Sequence, residues 1–178
     1  KSMPRKARID APGALHHIIV RGIERKHIFR DSEDKKNFLN RLGHVLANTE
    51  TPCFAWTLMP NHAHLLLRTG YVPLSTVMRR LLTGYAQQFN RRHRRHGPLF
   101  QNRFKSILCE DDPYLLELSR YIHLNPVRLG MAKDLAGLST HPWTGHSVIM
   151  GKVKRGWQDK DAVLAYFGRR KKEAISGY

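Results

Sequence analysis

The chain has 178 residues, enough for one domain with a sizeable core that needs no disulfide or metal staple. Hydrophobic residues make up 41% and charged residues 25%, an ordinary globular composition that excludes wholesale disorder. No apolar run approaches the roughly 20 residues that span a bilayer, and the net charge of +17, from 31 Lys and Arg against 14 Asp and Glu, favours polyanionic partners, nucleic acid above all. No signal-peptide pattern opens the chain, and Lys1 is not an initiator methionine, so the first two residues read as cloning remnants. Two cysteines, Cys53 and Cys109, cannot build a disulfide framework and suit a reducing cytoplasm. They are expected as small core residues on adjacent strands.

In chain order, HHIIVRG at 16–22 predicts a strand rich in β-branched residues that ends at Gly22. A helix from about Glu33 to Asn48 follows, with Ser32 or Asp31 as N-cap and Phe38, Leu39, Leu42, Val45 and Leu46 on one stripe. CFAWTLM at 53–59 and HAHLLLR at 62–68 form a hairpin around Pro60 and Asn61, although that turn lacks the favoured glycine. A second helix places Leu74, Val77, Met78, Leu81, Leu82, Tyr85 and Phe89 on its apolar face and ends in the basic loop 91–97. A fourth strand is expected at 103–109, and Glu110-Asp111-Asp112 before Pro113 opens a third helix. The order β-α-β-β-α-β implies an α+β, ferredoxin-like antiparallel sheet with two helices on one face, an additional helix and a C-terminal tail. After Asn125-Pro126 the pattern loosens, with one short helix expected at about Lys160 to Phe167. The division expected is a principal domain over 1–140 and a basic C-terminal extension over 141–178, packed on or near the core.

Charge placement narrows the chemistry. From Thr51 through Cys109 there is no Asp or Glu, yet Arg68, Arg79, Arg80, Arg91, Arg92, Arg94, Arg95, Arg103 and Lys105 fall there. The plain alternative is a generally basic, solvated surface. Within that segment His62-Ala63-His64 is the sharpest feature: alternate strand residues share a face, so two imidazoles sit roughly 7 Å apart along the backbone, with Ala63 and Leu65 on the other side. Such a pair can chelate a divalent cation, and it can equally be two incidental histidines among eleven. The lack of nearby carboxylates argues against an acid-rich two-metal nuclease, and the lack of a C-x-x-C pair argues against structural zinc. What remains is two histidines, a neutral third ligand and a phosphate oxygen. On the third helix Tyr121 and Asn125 are four residues apart and hence neighbours, provided the helix runs that far. Pro126 disfavours helix at Asn125, which places that amide at the helix end. Tyr121 can serve as a nucleophile toward a metal-polarised phosphate or can simply be core beside Leu115, Leu118 and Ile122.

Taken together, the ordered motifs H-H-I-I-V-R-G (16–22), M-P-N-H-A-H-L-L-L (59–67), G-P-L-F-Q-N-R-F-K-S (97–106), Y-L-L-E-L-S-R-Y-I-H-L-N-P-V-R (114–128) and H-P-W (141–143) span about four fifths of the chain. The sequence resembles the single-tyrosine HUH transposases of bacterial insertion sequences, especially the REP-associated tyrosine transposases. The resemblance implies His62 and His64 as the HUH metal ligands, Asn125 as third ligand where relatives often carry Gln, and Mg²⁺ or Mn²⁺ as the cation. It implies Tyr121 as the nucleophile that cuts single-stranded DNA, becomes joined to the 5′-phosphate and leaves a free 3′-OH. Substrates would be single strands with short imperfect hairpins, gripped by the 91–96 loop with Arg103 and Lys105, and with Trp143, Tyr114 or Phe100 available to stack on bases. It further implies a cytoplasmic, nucleoid-associated protein. Related enzymes pair as dimers that exchange the tyrosine helix, whereas REP-associated ones can act alone; the tail after Pro142 favours a monomer here. Two departures exist: Leu129-Gly130-Met131-Ala132 replaces the usual A-G-L-V, and Thr144-Gly145-His146 replaces Ser-Ser-Tyr. Neither touches the implied ligands or nucleophile. The competing expectations are a non-catalytic nucleic-acid-binding module using its open sheet face, and a domesticated transposase that binds hairpins and regulates.

Overall fold

The computed structural model describes residues 11–109 and 112–178. Four strands and three long helices form the core: β1 (Leu15–Arg21), α1 (Ser32–Thr49), β2 (Cys53–Met59), β3 (His62–Arg68), α2 (Leu74–Arg92), β4 (Lys105–Cys109) and α3 (Asp112–Arg128). The sheet is antiparallel with order β2-β3-β1-β4, the ferredoxin-like arrangement expected from the element sequence. Alternation decides which side each residue serves. Ile18, Val20, Ala63, Leu65 and Leu67 join Phe38, Leu42, Val77 and Leu81 in the main core under α1 and α2. The opposite side carries Leu15 and Leu66, which pack with Leu115 and Ile122 of α3.

Local chemistry sets the element ends. The Asp31 carboxylate accepts from the Asp34 N–H (3.0 Å) and so caps α1. The β2–β3 turn closes without glycine, with Met59 facing His62 across it. Its carbonyls are held from outside: the Ile28 and Phe29 N–H groups donate to Pro60 O (2.9 and 3.1 Å), and the Gly22 N–H to Asn61 O (2.9 Å). Gly22 itself is obligatory there, because a Cβ would lie 2.0 Å from Lys26 O.

Three expectations need correction. The fourth strand starts at Lys105, not at 103, because Phe104 turns into the main core. Cys53 and Cys109 lie on β2 and β4, the two opposite edges of the sheet, so they are not on adjacent strands; Cys53 is buried and its thiol pKa is pushed up by burial, while Cys109 is half-exposed. The tail holds more helix than the loosened pattern suggests: α4 (Leu135–Thr140), α5 (His146–Ile149), α6 (Lys160–Leu164, continued by a 3₁₀ turn to Phe167) and α7 (Lys171–Gly177). Each is too short to show a periodic stripe, and tertiary contacts hold them. Of the acidic run before Pro113, Glu110 and Asp111 lie outside the described residues.

The tail covers the outer edge of β2. Leu58 N–H donates to Trp143 O (2.9 Å), Gly145 N–H to Trp56 O (2.9 Å) and Asp159 N–H to Cys53 O (2.8 Å). Buried Gln158 staples this seam: its Oε1 accepts from Trp56 Nε1 (2.8 Å), and its Nε2 donates to Phe54 O (3.3 Å) and Gly145 O (3.2 Å). An otherwise open sheet edge is thereby satisfied. At the far end, the Tyr178 hydroxyl hydrogen-bonds buried His123 of α3, so the tail also braces that helix.

Candidate functional site

The site lies on the α3 side of the sheet. In the β1–β3 register His17 faces Leu66, Ile19 faces His64 and Arg21 faces His62, so these side chains share one surface. The His62 and His64 ring centroids are 5.0 Å apart. Asn61 fixes the first ring: its Nδ2 donates to Arg25 O (3.2 Å), which leaves Oδ1 to accept from His62 Nδ1 (2.6 Å). His62 therefore carries its proton on Nδ1 and presents the Nε2 lone pair. The second ring is held by a residue that the sequence reading missed. His17 stacks on His64 (centroids 5.1 Å, 25° between planes), with His17 Nε2 2.9 Å from His64 Nδ1. Burial, with Lys105 adding to it, lowers the His17 pKa to about 4. Burial, followed by the charges of His17, His62 and Arg21, lowers that of His64 to about 3. His62 is lowered too, by burial and then Arg21. All three rings are neutral at pH 7, so their lone pairs are not lost to protons. When His64 Nδ1 is the donor in this pair, its Nε2 is left as a ligand atom.

α3 brings up the other components. Tyr121 stands over the histidines edge-on, 6.0 Å from the His17 ring and 6.2 Å from the His64 ring, and is 40% exposed, so a polymer can reach its hydroxyl. Asn125 is not at a helix end as Pro126 led us to expect. The helix continues through Pro126 to Arg128. Pro126 has no N–H for Ile122 O, and the Asn125 side chain substitutes, with Nδ2 donating to Ile122 O (3.4 Å) and Tyr121 O (3.0 Å). That bonding commits the amide nitrogen to the helix and leaves Oδ1 as the atom available to a ligand. Arg128, two turns from Tyr121, places its guanidinium 4.9 Å from the centre of the Tyr121 ring. The i, i+4, i+7 spacing of Tyr121, Asn125 and Arg128 was a signal for that arginine.

The donor set is two neutral imidazole nitrogens on this surface and, one helical turn from Tyr121, the Asn125 amide oxygen. It fits a divalent cation whose remaining positions go to phosphate oxygens. A second cluster with metal-like spacing, Asp31, Asp34 and His93, is occupied by protein charge. Arg92 reaches Asp31 at 2.8 Å and Asp34 at 2.6 Å, and His93 Nε2 lies 2.9 Å from the buried Asp34. The cluster clamps the start of α1 to the end of α2, and the Arg92 hydrogen bond is the main reason the Asp31 pKa falls to about 2.

The sequence-derived basic residues divide accordingly. Arg79, Arg80, Arg91, Arg94, Arg103 and Lys105 are exposed. Arg92 is engaged in the clamp, and Arg95 holds its own loop through Asn90 Oδ1 (3.0 Å) and Pro98 O (2.7 Å). Arg68 donates to Gly13 O (3.0 Å). Among the candidate stacking residues, Trp143 packs on the main core with the Lys35 ammonium over its ring, Phe100 packs against the same core, and Tyr114 is exposed.

The chain is similar to two solved structures. A REP-associated tyrosine transposase bound to a REP hairpin superposes with a TM-score of 0.65 at 19% identity, covering 89% of this chain and 90% of that one. A Deinococcus radiodurans protein assigned as a transposase gives a TM-score of 0.46 at 17% identity, covering 67% and 95%. Among curated proteins none matches the sequence. No described helix is long and apolar enough to cross a membrane. The family described as IS200-like transposases matches residues 12–125, from just before β1 to Asn125 on α3, and thus includes every strand as well as His17, His62, His64 and Tyr121. With more than half of its length accounted for in this way, the chain belongs to the IS200-like transposase family.

Proposed function

We propose that the protein is a metal-dependent single-stranded DNA endonuclease and strand-transfer enzyme that cuts and rejoins DNA at hairpin-flanked, REP-like sites through a 5′-phosphotyrosine intermediate. The observation that carries this reading is the meeting of His62, His64 and Tyr121 on one surface, with the phenol 6.2 Å from the His64 ring. His62, His64 and Asn125 Oδ1 would hold Mg²⁺ or Mn²⁺, which when bound polarises the scissile phosphate. Asn61 and His17 keep the two imidazoles in ligand tautomers. The Tyr121 oxygen forms a bond to phosphorus as the bond to the 3′-oxygen breaks. The phenol proton is lost to solvent, and the departing oxygen takes up a proton to become the 3′-OH. The reverse attack by a 3′-OH rejoins the strand without a nucleotide cofactor. The Arg128 guanidinium favours negative charge developing on the phenol oxygen.

Exposed Arg79, Arg80, Arg91, Arg94, Arg103 and Lys105 supply sequence-independent grip on the DNA backbone. Hairpin DNA as substrate is supported by the REP hairpin held by the solved transposase of the same fold. The tail that covers the β2 edge favours a monomer, with 1–140 as the nuclease domain and 141–178 as its brace. The site of action would be chromosomal DNA in the cytoplasm.

The test uses 5′- and 3′-labelled hairpin oligonucleotides from the flanks of the native gene, incubated with Mn²⁺ or Mg²⁺ and run on denaturing gels. A covalent adduct retaining only the label 3′ of the cut, absent with chelator and in Tyr121→Phe, is expected. Tight binding with no adduct across several hairpins and both metals would instead make the protein a hairpin-binding regulator.

A further inference from the structure

A sizeable cavity among the described residues lies on the α2 side, apart from the histidines in sequence. It encloses about 660 Å³ between α2 and the segment that leads into β4, within the range of pockets that bury small organic ligands. Leu82, Ala86 and Phe100 give it apolar walls, while Gln87, Asn102 and Arg103 bring amide and guanidinium groups to it. Among the described residues no carboxylate lines it. A smaller cavity of about 220 Å³ shares Asn102 and Phe104 with it and is also lined by Arg21 and Lys105. Arg21 faces His62 in the strand register, and Lys105 faces Ile19 beside it. The two cavities therefore flank the 101–104 segment, the smaller beside the strand surface that carries His62 and the larger on the α2 side.

The geometry points to the larger cavity as a nucleobase pocket, which takes an unpaired base of the DNA strand a short distance from the scissile phosphate and reads its edge through Gln87 and Asn102. The chemistry fits: a base needs apolar contact on its faces, donors and acceptors at its edge, and cations for its phosphates. Amide side chains present both a donor and an acceptor, the pattern that pairs with base edges. Arg21 and Lys105 line the smaller cavity, where backbone phosphates would pass. This inference rests on the reading of the chain as a single-strand DNA enzyme, but it concerns base recognition, not cleavage.

The test is binding without metal, in chelator, so that loss of nuclease activity cannot mimic failure. Two fluorescent 12-mers are compared: oligo-dT and an abasic strand with the same number of phosphates. The wild type is expected to prefer oligo-dT by on the order of tenfold, the contribution of a single well-held base. Ala86→Trp, which fills the cavity, should remove most of that preference while leaving abasic-strand affinity unchanged. Thr83→Trp, from an exposed position on the same wall, repeats the test in case Ala86→Trp unfolds the protein, with thermal unfolding as the check on both. Gln87→Ala and Asn102→Ala should change the ranking among dT, dA and dC 12-mers. An undiminished preference in a folded cavity-filled variant, or no preference in the wild type, would overturn the pocket. Either result leaves the covalent-adduct assay, which tests the nuclease reading, untouched.

Discussion

On the α1/α2 side of the sheet, Ile18, Val20, Leu65 and Leu67 meet Phe38, Leu42, Val77 and Leu81 in a continuous apolar layer without solvent access. On the α3 side the same strands present His17, His62 and His64, and α3 answers with Tyr121 and Asn125. Burying imidazoles and an amide stabilises less than burying leucines, because each polar group must find a partner or lose hydration. The first face supplies the stability that lets the second hold neutral imidazoles at its surface. A strand with period-two alternation is suited to this division, since one residue in two can be given to each task.

The sharpest way to separate the faces is a substitution that abolishes chemistry without touching stability. Tyr121→Phe should eliminate the DNA adduct altogether. Its urea-unfolding free energy should stay within about 0.5 kcal/mol of wild type, because the residue is 40% exposed. The converse substitution, Phe38→Ala in the apolar layer, removes a fully buried ring and should cost about 3–5 kcal/mol of unfolding free energy in the same measurement. A large stability loss from Tyr121→Phe would break the contrast.

A finer test concerns His17, which touches His64, a cation ligand under the proposed function. His17→Phe keeps a ring against His64 but removes the acceptor for His64 Nδ1–H. Mn²⁺ affinity, followed by electron paramagnetic resonance, should fall by about 10–100-fold. His17→Gln, which restores an acceptor, should recover part of the loss. Equal Mn²⁺ affinity in wild type and His17→Phe would show that the bond to His64 does not position it.

A further effect is a pH dependence. His17 and His64 have folded pKa values of about 4 and about 3, below the ordinary 6.5, so the unfolded chain binds protons more readily. Their contribution to stability is complete above pH 6.5 and is lost progressively as pH falls toward those folded values. Urea midpoints should decline between pH 6.5 and pH 4, and more shallowly in His17→Phe, which lacks one of the two groups.

Much of this arrangement was legible in the sequence because it is local. The His-Ala-His alternation, the β-branched strands and the apolar stripes of α1 and α2 each declare themselves within a few residues. The components that escaped are those decided by distant partners. His17 gained meaning only when β1 paired with β3 and brought it beside His64, 47 residues away. The expectation for Asn125 went wrong because the local bias of Pro126 against helix was offset by the Asn125 amide itself. Arg92 and Arg95 looked like DNA contacts from charge alone, yet Asp31, Asp34 and their own loop engage them. The tail helices, four to seven residues long, rest on the β2 edge and on α3 through contacts that their own sequence does not announce.

The most direct test of the account is to locate the covalent bond itself. The wild-type protein would be incubated with a hairpin oligonucleotide and Mn²⁺, digested with nuclease and trypsin, and the residual nucleotide mapped by tandem mass spectrometry. The account predicts a phosphodiester remnant on Tyr121 alone, through a 5′-phosphate. A remnant on exposed Tyr114 or any other side chain, or cleavage with no protein-bound nucleotide, would contradict it.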